Sequence, residues 1–293
     1  MSEPRLRLFQ SLWAMQPHDA SGERLPLDRV CAMVAEAGFD GLAIDLGASD
    51  VATARAIRPH LEREGLTPLI VAFPQSLGAL RETLAMARDF GSPFVDVVGQ
   101  LFPLTVEGAV PIVRAWIEMA EQERMPIHFE THRNCITNDL FATLSLLDAV
   151  PEMRLSGDFS HYVVDREWRL PLAIEARAQL ARCIARCDSF QGRVASRQQI
   201  QLQLGFPQHR PWVDFFRDLW RRGFADWRAR NDSGELGFLC ELGPPEYAMT
   251  DAEGREMSDR WEESRMLMGY AREAWERSAP PSASEVLASD GAA

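Results

Sequence analysis

Short apolar runs alternate with amphipathic stretches along nearly the whole chain. Leu6–Ala14, Gly41–Leu46, Thr67–Phe73 and Phe94–Val98 read as strands. Between the first four, Leu27–Ala37, Asp50–Glu64 and Leu77–Phe90 carry apolar residues at helical spacing. Gly38, Gly65 and Gly91 close these helices, because glycine turns left-handed after a last turn at no steric cost. The next helix gathers Ile112, Trp116 and Ala120 on one face. The second half keeps the rhythm: a strand at Pro126–Glu130 precedes a helix at Asp139–Ala149 with Thr137 or Asn138 as its N-cap. Then come a strand at Arg154–Asp158, a helix from Pro171 to Cys187 and a strand at Phe190–Arg197. A helix at Pro211–Arg222 ends at Gly223, and a strand at Gly237–Glu241 and a helix at Ser258–Arg277 complete the series. Eight such units in succession specify an α/β fold, a single (βα)8 TIM barrel over residues 1–279. A doubly wound open sheet is the competing arrangement. Residues 280–293, rich in Ala, Ser and Pro, are expected to form a flexible tail.

Composition then removes whole classes of chemistry. The 293 residues include 31 basic positions, every one an arginine, against 43 acidic ones, for a net charge of −12. Without lysine there is no Schiff-base amine, pyridoxal-phosphate anchor or P-loop lysine. The acidic balance argues against a nucleic-acid partner, since gripping a phosphate backbone requires a basic surface. Cys31, Cys135, Cys183, Cys187 and Cys240 are scattered and odd in number, so reduced, buried thiols are expected rather than a disulfide frame or zinc site. The N-terminus lacks the apolar run of a signal peptide, and no stretch is long enough to span a membrane, which points to a cytoplasmic protein without a membrane partner.

Catalytic groups of such a barrel sit where strands end and loops begin. The fifth strand runs into Glu130-Thr131-His132-Arg133, the sixth into Asp158-Phe159-Ser160-His161, and the eighth into Glu241-Leu242-Gly243-Pro244. Three ionised carboxylates meeting on one rim would repel, and a divalent cation is the usual reason for them to coexist. Alternatively each caps a helix or pairs with an arginine. His161 follows Asp158 by one turn and is placed in the site. His132 either binds metal or substrate or bonds to the next loop. Arg133, Arg193 and Arg197 either clamp an anionic group bidentately or neutralise acidic neighbours. Trp13 reads as a wall for a sugar ring or as core, and His128 as facing the helices. His18, His60 and His209 read as surface residues. Trp212, Trp220 and Trp227 read as packing, with an oligomer surface as the other option.

The segments FETHR, GDFSHYVV and CELGPPEY resemble the xylose isomerase-like barrel superfamily, the sugar phosphate isomerase and epimerase group, over residues 6 to 277. The resemblance implies that Glu130, Asp158 and Glu241 hold a divalent metal together with a seventh-strand histidine. It also implies that Glu130 and Glu241 act as the acid/base pair and that His161 contacts substrate. Here the seventh strand reads Ala195-Ser196-Arg197 where a His-x-Arg is usual. Either His132 or a glutamine such as Gln199 completes the shell, or the metal binds weakly, or it is absent. Oxygen donors favour Mg²⁺ or Mn²⁺ over Zn²⁺. The activity implied is a sugar or cyclitol isomerase or epimerase abstracting a proton beside a carbonyl, with Glu130 and Glu241 catalytic and His161, Arg197, His132, Trp13 and Arg133 contacting the carbohydrate. A lyase eliminating water through the same first step is the alternative. An abasic-site endonuclease needs more strand-end histidines than this chain has, and a non-catalytic binding barrel is the remaining class.

Overall fold

The computed structural model describes residues 3–16 and 24–279, and its eight parallel strands close on themselves in sequence order. They are β1 (Arg5–Ser11), β2 (Gly41–Asp45), β3 (Thr67–Ala72), β4 (Val95–Val97), β5 (Ile127–Glu130), β6 (Leu155–Gly157), β7 (Cys187–Gly192) and β8 (Glu235–Cys240). The helices are α1 (Leu27–Glu36), α2 (Val51–Glu64), α3 (Ala79–Phe90), α4 (Val106–Glu123), α5 (Leu140–Ala149), α6 (Ser160–Asp165), α7 (Ile174–Ile184), α8 (Arg210–Arg230) and α9 (Arg260–Glu276). Pairing of β1 with β8, from Arg5↔Glu235 to Gln10↔Cys240, shuts the barrel. His18 and the tail from Pro280 lie outside the described residues. Among the described residues no helix is long and apolar enough to cross a membrane.

Strands covered on both faces need apolar residues at nearly every position, and β2 is buried along its whole length. Phe9, Ala43, Leu69, Val71, Phe94 and Leu239 fill the barrel interior. A larger layer, including Leu8, Ile44, Ile70, Trp116, Phe129 and Trp220, packs the outer strand faces against the helices. The interior is therefore solid below its mouth, as side-chain layers make it in barrels of this size.

Several boundaries differ from those the sequence suggests. α7 stops at Ile184 and β7 begins at Cys187, so Cys183 and Cys187 belong to different elements; all five cysteines are free and buried. α8 passes straight through Gly223 to Arg230. The glycine there serves close packing, since a Cβ would lie 2.4 Å from the Phe190 ring. The N-cap of α5 is Asp139, which accepts from the Ala142 amide, while the Thr137 hydroxyl is committed to the Glu130 carbonyl. Strand β1 ends at Ser11, which leaves Trp13 in a 3-10 turn beyond it. Trp220 and Trp227 are buried within the protomer, so they offer no surface to another subunit.

One buried side chain ties the two ends of the barrel together. Arg260, at the start of α9 and 1% exposed, donates to the Ala14 and Gln16 carbonyls and pairs with Glu256. The segment after β1 is thus anchored by the last helix.

Candidate active site

Side chains alternate across a strand, so residues two apart share a face. On β5, Ile127 and Phe129 join the outer layer while Glu130 turns inward. His128 shares the inward face, bonding Ser189 Oγ at 2.9 Å and stacking on Phe94; it does not face the helices. On β7 and its extension, Ser189, Gln191 and Arg193 point inward. Gln191 Nε2 reaches Asp96 at 2.5 Å and Glu130 at 3.3 Å. Arg193 Nε donates to Asp158 at 3.1 Å, and its Nη2 to Glu241 at 2.7 Å.

Glu130, Asp158 and Glu241, from three strand ends, present carboxylate oxygens within 4.8 Å of one another. Asp158 Oδ1 also accepts from the Ser160 amide and hydroxyl. Arg193 corrects the seventh-strand reading. The residue there that meets the carboxylates is this arginine, 1% exposed, and not Ala195, which is buried among apolar core residues. Gln199 is exposed and bonded to Met249, away from the carboxylates. Arg197 pairs with Glu167 at 3.0 Å rather than entering the cluster.

The electrostatics follow from many acids gathered around one cation in a dry setting. Burial, then the Asp96, Glu241 and Asp158 charges, push Glu130 well above the usual carboxylate range. Burial and Glu241 do the same to Asp96. Burial raises Glu241 to about 7, opposed mainly by Arg193. For Arg193 burial works against the charge, but Glu241 and Asp158 outweigh it and hold the guanidinium ionised. Burial lowers His132 to about 4 and takes His161 well below its ordinary value, so both imidazoles are neutral.

Over this cluster opens a cavity of about 530 Å³, lined by Trp13, Asp45, Phe73, Gln75, Gln100, Glu130, His132, Glu241 and Tyr247, among others. Trp13 meets Tyr247 edge-on at 5.1 Å. That contact needs Gly243, where a Cβ would lie 2.3 Å from the Trp13 ring. Tyr247 is also flanked by the guanidinium groups of Arg133 and Arg193, each 4.6 Å from its ring. Gln201 holds Gly243 through both backbone groups and accepts from Arg193. Tyr247, Asp45, Asp96, Gln191 and Gln201 are the members that sequence reasoning missed. Asp45 ends β2 and Asp96 sits inside β4, so each carried the signal of a polar residue on an apolar strand.

The donor set accommodates a divalent cation. Glu130 Oε1 and His161 Nε2 are buried with no hydrogen-bond partner, and one guanidinium does not balance the surrounding carboxylates. Asp158 and Glu241, however, each already give an oxygen to Arg193.

No protein-family profile and no curated protein sequence matches the chain. Solved structures do. A xylose isomerase-like TIM barrel protein from Mycobacterium smegmatis in complex with magnesium aligns at 15% identity and a TM-score of 0.62, covering 92% of this chain and 98% of that one. D-allulose 3-epimerase from Methylomonas sp. in complex with D-allulose aligns at 16% identity and a TM-score of 0.55, covering 95% and 99%. The probable 3-DHS dehydratase involved in petrobactin synthesis from Bacillus anthracis aligns at 16% identity and a TM-score of 0.51, covering 83% and 95%. The chain has the xylose isomerase-like TIM-barrel fold.

Proposed function

We propose that the protein is an isomerase or epimerase of a sugar or cyclitol that moves a proton at a carbon beside a carbonyl. The observation carrying this reading is the pair Glu130 and Glu241. They come from different strands, line one cavity, and have proton affinities raised by burial. A base and an acid whose proton affinities lie near the working pH are what reversible carbon deprotonation requires. Glu241, held by Arg193, takes the proton, and Glu130 returns one. His132, neutral, lines the same cavity. Trp13, Phe73 and Tyr247 give apolar walls to a ring, while Asp45, Gln75 and Gln100 offer hydroxyl-binding groups. A divalent cation bound against Glu130 would supply charge stabilisation for the enediolate oxygen. The allulose 3-epimerase and L-ribulose 3-epimerase among the structures sharing the fold agree in chemical class.

A second reading keeps the first step and adds loss of a β-hydroxyl as water. Tyr247 favours it: burial raises its pKa, so a protonated phenol lines the cavity and can donate to a departing hydroxyl. Incubation in deuterium oxide with a panel of ketoses and keto-cyclitols tests both. Deuterium incorporation with unchanged composition supports the isomerase or epimerase, and a product lacking one water supports the lyase. No exchange with any member of the panel, by folded and metal-supplemented protein, would leave the binding barrel as the better account.

A further inference from the structure

The carboxylate triad is not the only donor group at the mouth. Glu130, His132 and His161 also offer ligand atoms that all lie within 4.8 Å of one another. We propose that a divalent transition-metal ion binds at Glu130, His132 and His161, with Asp158 and Glu241 serving as partners of Arg193.

Two of the three donors are buried without a partner. Glu130 Oε1 has no hydrogen-bond partner and its residue is 1% exposed. His161 Nε2 is likewise unpartnered at 4% exposure; it lies 3.5 Å from Asp158 Oδ2, outside hydrogen-bond geometry. His132 is oriented by the backbone of the next residue, with Nδ1 bonded to the Arg133 carbonyl. Nδ1 is therefore the protonated nitrogen and Nε2 keeps its lone pair, the arrangement by which a carbonyl commonly fixes a ligating imidazole. The two rings lie 4.2 Å apart between centroids, close enough to serve one ion.

The competing set is obstructed. To bind all three carboxylates, an ion must share Asp158 and Glu241 with a buried guanidinium bonded to both. An ion held by Glu130, His132 and His161 displaces no bond to Arg193. Two imidazoles and one carboxylate on one side, with remaining positions open, suit Mn²⁺, Fe²⁺, Co²⁺ or Zn²⁺ better than Mg²⁺, which seeks oxygen. A role for this ion in turnover rests on the isomerase reading, but its binding is measured without substrate, so the two fail separately.

The test is Mn²⁺ titration of chelator-treated full-length protein, with pulsed electron paramagnetic resonance on the bound ion. The wild type should show modulation from imidazole nitrogen and should bind Mn²⁺ at least tenfold more tightly than Mg²⁺. His161→Gln and His132→Gln should each weaken Mn²⁺ binding by about tenfold or more, a loss at least as large as that for removing an outer-shell partner. Asp158→Asn should weaken Mn²⁺ binding less than either histidine variant does. Circular dichroism identifies any variant that fails to fold, and the nitrogen signal of the wild type depends on no variant. Bound Mn²⁺ without nitrogen coupling, equal affinity for Mg²⁺, or no binding at all would overturn the assignment.

Discussion

Replacing Arg193 by methionine isolates what the buried guanidinium does. The substitution keeps most of the apolar stem and removes the hydrogen bonds to Asp158, Glu241 and Gln201. Breaking a buried ion pair from one side costs about 3–5 kcal/mol, mostly the penalty of the charge left behind. Here one cation serves two acids, so the upper half of that range is expected where Glu241 is ionised. The sign of the pH dependence follows from Glu241, which already titrates at about 7 in the folded protein against about 4.3 in an unfolded chain. A carboxyl with a raised folded value takes up a proton on folding, so stability falls as pH rises between the two values. Loss of Arg193 lifts the folded value further and widens that window upward. Urea unfolding followed by tryptophan fluorescence, in chelator at about pH 5 and about pH 8.5, should show a smaller deficit at the lower pH, where the Asp158 partner is still lost, and the full deficit at the higher. A deficit under about 1 kcal/mol at the higher pH, or one unchanged between the two, would refute the argument that Arg193 compensates these carboxylates.

Three further outcomes are expected. Glu241→Gln should lower turnover by about 10²-fold or more through loss of the base, and the wild-type kcat/KM should rise with pH to a plateau above the Glu241 value of about 7; a flat profile from about pH 5 to 8 would assign the base elsewhere. Gly223→Ala should destabilise the fold by about 1–3 kcal/mol through overpacking against Phe190, and an unchanged thermal midpoint would show that α8 shifts away freely.

The barrel and its three acidic strand ends were legible because each is a local signal: an apolar run, a closing glycine, a charged residue where a strand needs none. The inward face of β7 was legible only in part. Arg193 was among the arginines read as clamping an anion or neutralising acidic neighbours, and it does the latter. The His-x-Arg comparison, however, drew attention to Ala195 and away from Ser189 and Gln191. For His128 the necessary information was present, since it lies two residues before Glu130 and must share its face. Tyr247 and Gln201 belong to irregular loops, where position comes from long-range bonds such as those between Gln201 and Gly243. Gly223 shows that a helix-stop residue and a close-packing residue look the same in one dimension.

The anchoring of Ala14 and Gln16 by Arg260 bears on when the cleft can exist during synthesis. The Trp13 wall is synthesised well before the side chain that holds the segment beside it, since Arg260 lies 246 residues after Ala14. Until residue 240 is made, β1 also lacks β8, its ladder partner, and offers an open sheet edge to any other strand nearby. A nascent chain halted before residue 260 therefore carries an unfinished mouth, however well its middle strands have assembled. Prematurely released fragments should be prone to aggregation and degradation, and the ability to bind a ligand should appear abruptly with the last helix rather than accumulate strand by strand.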